Sequence, residues 1–296
     1  MLIETSKAQH IVLTDARNIS ELRRYLNAEK KSVERPVKRL WNKQREIVTV
    51  ELAEQALKIG SVPPKLRDPW NEMIREFVKD DLIAEWIRTM SHSGEKIARK
   101  VNKIQRKQFD FDPASWSAKK WVDTEGASLI VNLTAAQYKS TQALIQNQVY
   151  QGITSPYILA QRIKHFVGLT EREALAVVRF MSSLAEEGIP ASAINTQVES
   201  YASFLHKNRA MRIARTELSN AYNFGQHDSL KQAAAEGWLP GEPEKNWIAG
   251  GINPCEICET NESDGPIPLE AQFSSGHDHP TAHPNCECSV GYRVRR

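Results

Sequence analysis

Apolar residues recur at helical spacing along most of this chain. Residues 20–58 mix Leu and Ala with Glu, Lys and Arg, which predicts helix, with Pro36 forcing a break or kink. "GSVPPKLRDPW" reads as a connector, with Asp68 capping the next helix and Pro69 in its first turn. Trp70, Ile74, Phe77, Val78, Leu82 and Trp86 follow at steps of three and four, one apolar stripe with charges between. "SHSG" at 91–94 breaks the pattern, and "EKIARKVNKIQRK" resumes it as a basic helix.

"FDFDPASW" at 109–116 reads as a domain boundary. Beyond it, Thr134 with Gln137 predicts a capping box for a helix over 135–150 that Gly152 ends. Ser155 and Pro156 open a helix through Phe166. Thr170 with Glu173 boxes another over 171–187, closed by Gly188. From Pro190 to about Gly237 the pattern fits one long helix, or two bent near 207–209. Pro and Gly then become frequent, and "KNWIA" and "CSVGYRV" are the strand-like runs. A segment with so little apolar material needs a staple.

The fold expected is therefore mainly α, with a helical N-terminal region over 1–115 and a long-helix body over 116–236. A small α+β module stapled by Cys and His follows over 237–296.

Composition changes this picture little. Hydrophobic residues are 41% and charged residues 25% of the 296, an ordinary globular balance. No apolar run is long enough to span a bilayer, so no membrane partner is expected. The first residues lack the basic and apolar regions of a secretory signal, which implies folding in a reducing cytoplasm.

Charge is uneven. Residues 1–120 carry 25 Lys and Arg against 17 Asp and Glu, whereas residues 121–296 carry 14 against 19. That asymmetry suggests a polyanion near the first half. Lys96, Arg99, Lys100, Lys103, Arg106 and Lys107 form a basic helical face that could lie along DNA phosphates, or simply face solvent.

All four cysteines fall in the last 42 residues. In a reducing compartment such clustering suggests metal before disulfides or free thiols. Cys255-x2-Cys258 and His283-x2-Cys286 form two knuckles at the separation usual for structural zinc. Cys288 is also available, so five ligands compete for four places. Cys255, Cys258 and Cys286 with either His283 or Cys288 make a complete set. His277 and His279, in a Gly- and Asp-rich loop, are weaker candidates. No H-E-x-x-H motif supplies a general base, so the metal reads as structural.

Three stretches resemble the phage head morphogenesis family, the Mu F-like minor head proteins of tailed bacteriophages. They are "GLTEREALAVVRFMSSLAEEGIPASAI", "RIARTELSNAYNFGQHDSLKQA" and the end of the chain. The second carries the family's pattern at Ala214, Arg215, Thr216, Glu217, Ala221, Tyr222, Asn223 and Gly225. The third runs from "KNWIA" through Cys-x2-Cys, Asp264-Gly265 and Pro268-Leu269 to His-Pro-x-Cys-x-Cys. Together they span roughly residues 120–292. Glu287 stands where the family usually has arginine, and "GGINP" replaces a charged pair before the first cysteine.

The resemblance implies a non-enzymatic virion component at the portal vertex or head interior. Its partners would be the portal protein, the major capsid or scaffold proteins, and packaged double-stranded DNA. Its role would lie in head assembly and in DNA packaging or ejection. The enzymatic alternative is a metal-dependent nuclease, or an ADP-ribosylating activity through Arg215 and Glu217. The favoured reading makes Arg215, Thr216, Glu217, Tyr222 and Asn223 structural, tying the long helix to the terminal module, because no nucleophile–base pairing or phosphate-cradling loop accompanies them.

Overall fold

The computed structural model describes residues 10–150, 152, 154–251 and 253–296. Strand β1 (His10–Thr14) precedes helices α1 (Arg17–Glu46), α2 (Val50–Ile59) and α3 (Pro64–Glu76). A π-helical turn (Phe77–Leu82) joins α3 to α4 (Ile83–Gln105). Helices α5 (Trp116–Tyr150), α6 (Pro156–Phe166), α7 (Glu171–Glu186) and α8 (Ala191–Ala235) follow. Strand β2 (Glu242–Ile248), helix α9 (Glu256–Ser263), and strands β3 (Ile267–Pro268) and β4 (Ser289–Arg295) complete the chain. The fold is mainly α with a small antiparallel sheet and a Cys/His cluster near the C-terminus. No helix among the described residues is long and apolar enough to cross a membrane.

Several helix boundaries differ from those the sequence predicts. Pro36 lies inside α1, and the break comes at 47–49, where Thr49 caps α2 through the Leu52 N–H. Burial of Val33, Val37 and Leu40 along one face of α1 compensates for the hydrogen bond Pro36 cannot make. Helix α3 starts at Pro64, the proline suited to a first turn, so Asp68 and Pro69 sit inside it rather than at its start.

"SHSG" does not interrupt α4. Gly94 and Ser93 are buried, and a Cβ at Gly94 would overlap the Phe111 ring, so the small residues serve packing. Thr134 and Gln137 form no cap, because α5 begins at Trp116 and runs past both. The box at Thr170 and Glu173 is present, and Ser155 caps α6. Helix α8 is one unbroken segment of 45 residues.

The chain forms two compact units. Unit 1 comprises residues 1–31, 84–122 and 212–296, and unit 2 comprises 32–83 and 123–211. This differs from three consecutive domains. Each change of unit falls within a helix, so no loop marks it, and residues 237–296 share their unit with two earlier segments.

Unit 1 holds the sheet, in the order β1-β4-β2-β3. β4 is central, pairing antiparallel with β1 (Ile11 opposite Val294) and with β2 (Trp247 opposite Val290). Val290, Tyr292 and Val294 point into a core with Leu13 of β1, Ile97 and Val101 of α4, and Leu230 and Ala233 of α8. The terminal residues therefore have an apolar core after all, supplied by helices far away in sequence.

Unit 2 is helical. Leu66, Trp70 and Ile74 of α3, Ile163 and Phe166 of α6 and Val177 of α7 are all buried in it, and α2 packs on α6. Gly168 adopts a left-handed φ of 84° against the Trp41 indole, where a Cβ would overlap the ring.

Candidate metal centre

Cys255 is the N-cap of α9 and Cys258 lies in its first turn, so the helix start presents both thiols on one side. The second knuckle turns at Asn285, whose φ of 61° suits asparagine better than most residues. The Cys286 N–H donates to the His283 carbonyl at 3.2 Å and closes that turn.

These turns bring all five predicted ligands together. Cys255, Cys258 and His283 form one group and Cys258, Cys286 and Cys288 another, with ligand atoms within 4.8 Å of one another in each. Cys258 belongs to both. Its Sγ lies 3.5 Å from His283 Nε2 and 3.8 Å from Cys286 Sγ. His283 Nδ1 donates to the Pro284 carbonyl at 3.1 Å, which leaves the Nε2 lone pair directed at the cluster. His277 and His279 do not join: His277 Nδ1 bonds Ser275 Oγ at 2.8 Å, and His279 Nδ1 donates to the Pro280 carbonyl at 2.7 Å. The arrangement can hold a metal ion.

The surroundings are apolar. Trp247 and Phe273 meet edge to face at 5.1 Å and pack with Cys258, Cys286 and Cys288. The Cys288 thiol is held down to about 6, chiefly by the Cys286 thiol donating to it and also by the Gly250 N–H at 3.3 Å. Cys286 is pushed up by that same sharing with Cys288 and by burial, and Cys258 is pushed up by burial first. Packed thiols cannot all ionise side by side unless a cation takes up their charge.

The Ala-Arg-Thr-Glu stretch of α8 lies against this centre. Arg215 Nη2 donates to Glu287 Oε1 at 2.5 Å, and Arg23 of α1 reaches Glu287 Oε2 at 2.9 Å. The two arginines hold the Glu287 carboxyl below its usual range against the opposing effect of burial. Thr216 Oγ1 accepts from the Asn285 N–H at 2.8 Å, inside the second knuckle. Asn223 Nδ2 reaches the Cys288 carbonyl at 3.4 Å, and Ser289 Oγ donates to Asn223 Oδ1 at 3.3 Å. Tyr222 is fully buried beside Tyr25, with ring centres 5.4 Å apart. Glu217 is half-buried on the same helix.

Of the six predicted basic residues, Lys96, Arg99, Lys100 and Lys103 line one groove, whereas Arg106 and Lys107 lie past the end of α4. Sequence reasoning missed Arg24 and Arg88 in the same groove, and Arg23 at the metal centre. Arg88, His92, Lys96 and Lys100 recur every fourth residue. Taking "SHSG" for a helix break hid that signal. Nothing in the sequence pairs Arg23 with Glu287, 264 residues away.

Comparison with family models, curated proteins and solved structures gave no match to this chain.

Proposed function

We propose that this chain is a minor head protein of a tailed bacteriophage whose Cys/His cluster holds one structural zinc ion. The observation that carries the reading is the meeting of two stretches on which the family resemblance rests. Arg215, Thr216 and Asn223 of the Ala-Arg-Thr-Glu segment each bond to the 285–288 run of the His-Pro-x-Cys-x-Cys segment. Residues that resemble one family in two distant places, and touch each other, behave as parts of one design. On this reading the protein associates with the portal, the inner capsid or scaffold, and packaged double-stranded DNA. It acts in head assembly and in packaging or ejection.

Zinc is favoured by the donor set, since thiolate and imidazole suit it better than they suit calcium or magnesium. The spacing fits as well. With Zn–S near 2.3 Å and Zn–N near 2.0 Å, tetrahedral edges are about 3.8 Å between sulfurs and about 3.5 Å from sulfur to nitrogen. The two separations at Cys258 are 3.8 and 3.5 Å. The ion would supply charge to the thiolates and a fixed point between α9 and the second knuckle.

Mass spectrometry of purified particles tests the assembly role. The protein is expected in DNA-filled heads, and its absence from them overturns the reading. Elemental analysis tests the metal: about one zinc per chain is expected, and a metal-free folded protein overturns it.

A further inference from the structure

Helices α1 and α4 of unit 1 border an open groove of about 780 Å3. From α1 come Glu21, Arg24, Tyr25 and Glu29. From α4 come Arg88 and His92, and then Lys96, Arg99, Lys100 and Lys103 at steps of three and four. From 88 to 103 the α4 side runs for about 22 Å, at about 1.5 Å per residue.

The charges in the groove divide into two sets. Its own acids are engaged, Glu21 with Lys96 at 3.3 Å and Glu29 with Arg88 at 2.8 Å. Arg99 pairs with Glu95 at 3.6 Å. Arg24, Lys100 and Lys103 make no ion pair among the described residues. Lys100 is half-buried as well, and burial lowers its pKa. Glu21 and Asp15 offset part of that burial cost from beyond ion-pair distance, and an incoming anion relieves more of it. Beside these cations His92 stacks on Tyr25, with centroids 4.6 Å apart and planes at 26°, and remains exposed. An aromatic surface next to a row of unpaired cations suits a sugar–phosphate chain better than an acidic peptide, which has no ring to lay against it.

We propose that the α1–α4 groove binds the phosphodiester backbone of DNA without reading its sequence, with Arg24, Lys100 and Lys103 making the phosphate contacts. The inference rests on the DNA-partner part of the reading above and places it on one surface. Lys96, Arg88 and Arg99 set the shape and field of the groove while holding its acids. Arg106 and Lys107 lie outside the contact.

Fluorescence anisotropy with the full-length protein tests this, using a random-sequence duplex and a single strand of equal length across a salt series. The triple variant Arg24→Glu, Lys100→Glu, Lys103→Glu is expected to weaken binding by about tenfold or more and to flatten the salt dependence by about three phosphate contacts. Lys65→Glu, Lys139→Glu, Lys207→Glu changes the net charge equally on exposed residues of unit 2. That control is expected to cost a few-fold at most. The glutamine triple at 24, 100 and 103 repeats the test with a gentler change, should the reversed charges disturb folding. Equal losses in groove and control variants overturn the proposal, as does unchanged binding by the groove variants. Displacement of DNA by polyglutamate at matched charge assigns the groove to an acidic protein and overturns it too. The duplex and single-strand arms show which form the groove prefers. Presence in particles is measured separately, so failure of the groove does not pass for failure of the assembly role.

Discussion

The unit that carries the cysteine cluster and the unit that lacks it differ in how their buried polar groups are used. In unit 1 they bridge segments far apart in sequence. Asn18 Nδ2 bonds Gln226 Oε1 at 2.8 Å, Ser289 Oγ at 2.7 Å and the Val290 carbonyl at 2.9 Å, joining α1, α8 and β4. Thr14 Oγ1 donates to the Val290 carbonyl and accepts the Tyr292 N–H. In unit 2 the buried polar face of α5 carries Gln137 Nε2, Thr141 Oγ1 and Gln148 Nε2, which have no hydrogen-bond partner among the described residues. Unit 1 has orphans of its own, Trp86 Nε1, Ser219 Oγ, His227 Nδ1, Trp247 Nε1, Asn261 Nδ2 and the Tyr292 hydroxyl, so the contrast lies in the long-range bridges rather than in the orphans. Directional bonds specify which distant segments meet, whereas apolar packing of capped helices specifies mainly that they meet.

The sharpest way to separate the two units is to remove the metal. Structural zinc contributes on the order of 10 kcal/mol of binding energy in small modules. A chelator is expected to deprotect residues 249–288, including α9, in hydrogen exchange. β1 and β4, which contribute to the apolar core, and the helices of unit 2 should stay protected. Loss of protection spread evenly over both units would erase the distinction.

Acid is the next largest perturbation, and it reaches both units. His206 in unit 2 is buried and held down to about 4, mainly by that burial, and its Nε2 faces the Val167 carbonyl at 2.7 Å. His227 in unit 1 is lowered by burial as well. An unfolded histidine binds its proton near pH 6.5, before the folded one does, so stability is full above that pH and falls as pH drops toward 4. For His206 the loss amounts to up to about 3 kcal/mol. Melting of the wild type from pH 7 to 5 should show this fall. His206→Asn should flatten it in the unit 2 segments, and an unchanged slope would remove His206 from the account.

A matched pair of substitutions sharpens the contrast further. Asn18→Ala leaves three polar partners in unit 1 short of a bond and should cost about 2 kcal/mol in denaturant unfolding. Thr141→Val in unit 2 deletes a hydroxyl that has no partner among the described residues and keeps the shape, so it should be neutral or stabilise by up to about 1 kcal/mol. Equal losses at both sites would mean that the polar groups play the same part in each unit.

The α6 and α7 boundaries were legible because their signals are local: Ser155 before Pro156, and Thr170 three residues before Glu173. The five metal-ligand candidates were legible for the same reason, as each knuckle is a short turn. Misreadings arose where burial overrides a local cue. Pro36 and "SHSG" look like breaks, yet they sit in helices whose buried faces hold them straight through, and Thr134 looks like a cap in the middle of α5. Strand β1 and the division into interleaved units carry no local signal, since both depend on pairings across more than 200 residues.

The pairing of β1 with β4 also sets an order of events. His10 lies opposite Arg295, so the sheet cannot close until residue 295 has left the ribosome. Every segment of unit 2 has been synthesised by residue 211 and can collect its helices earlier. Until β4 arrives, β1 exposes an unsatisfied edge, and the nascent chain is then most open to pairing with a neighbour.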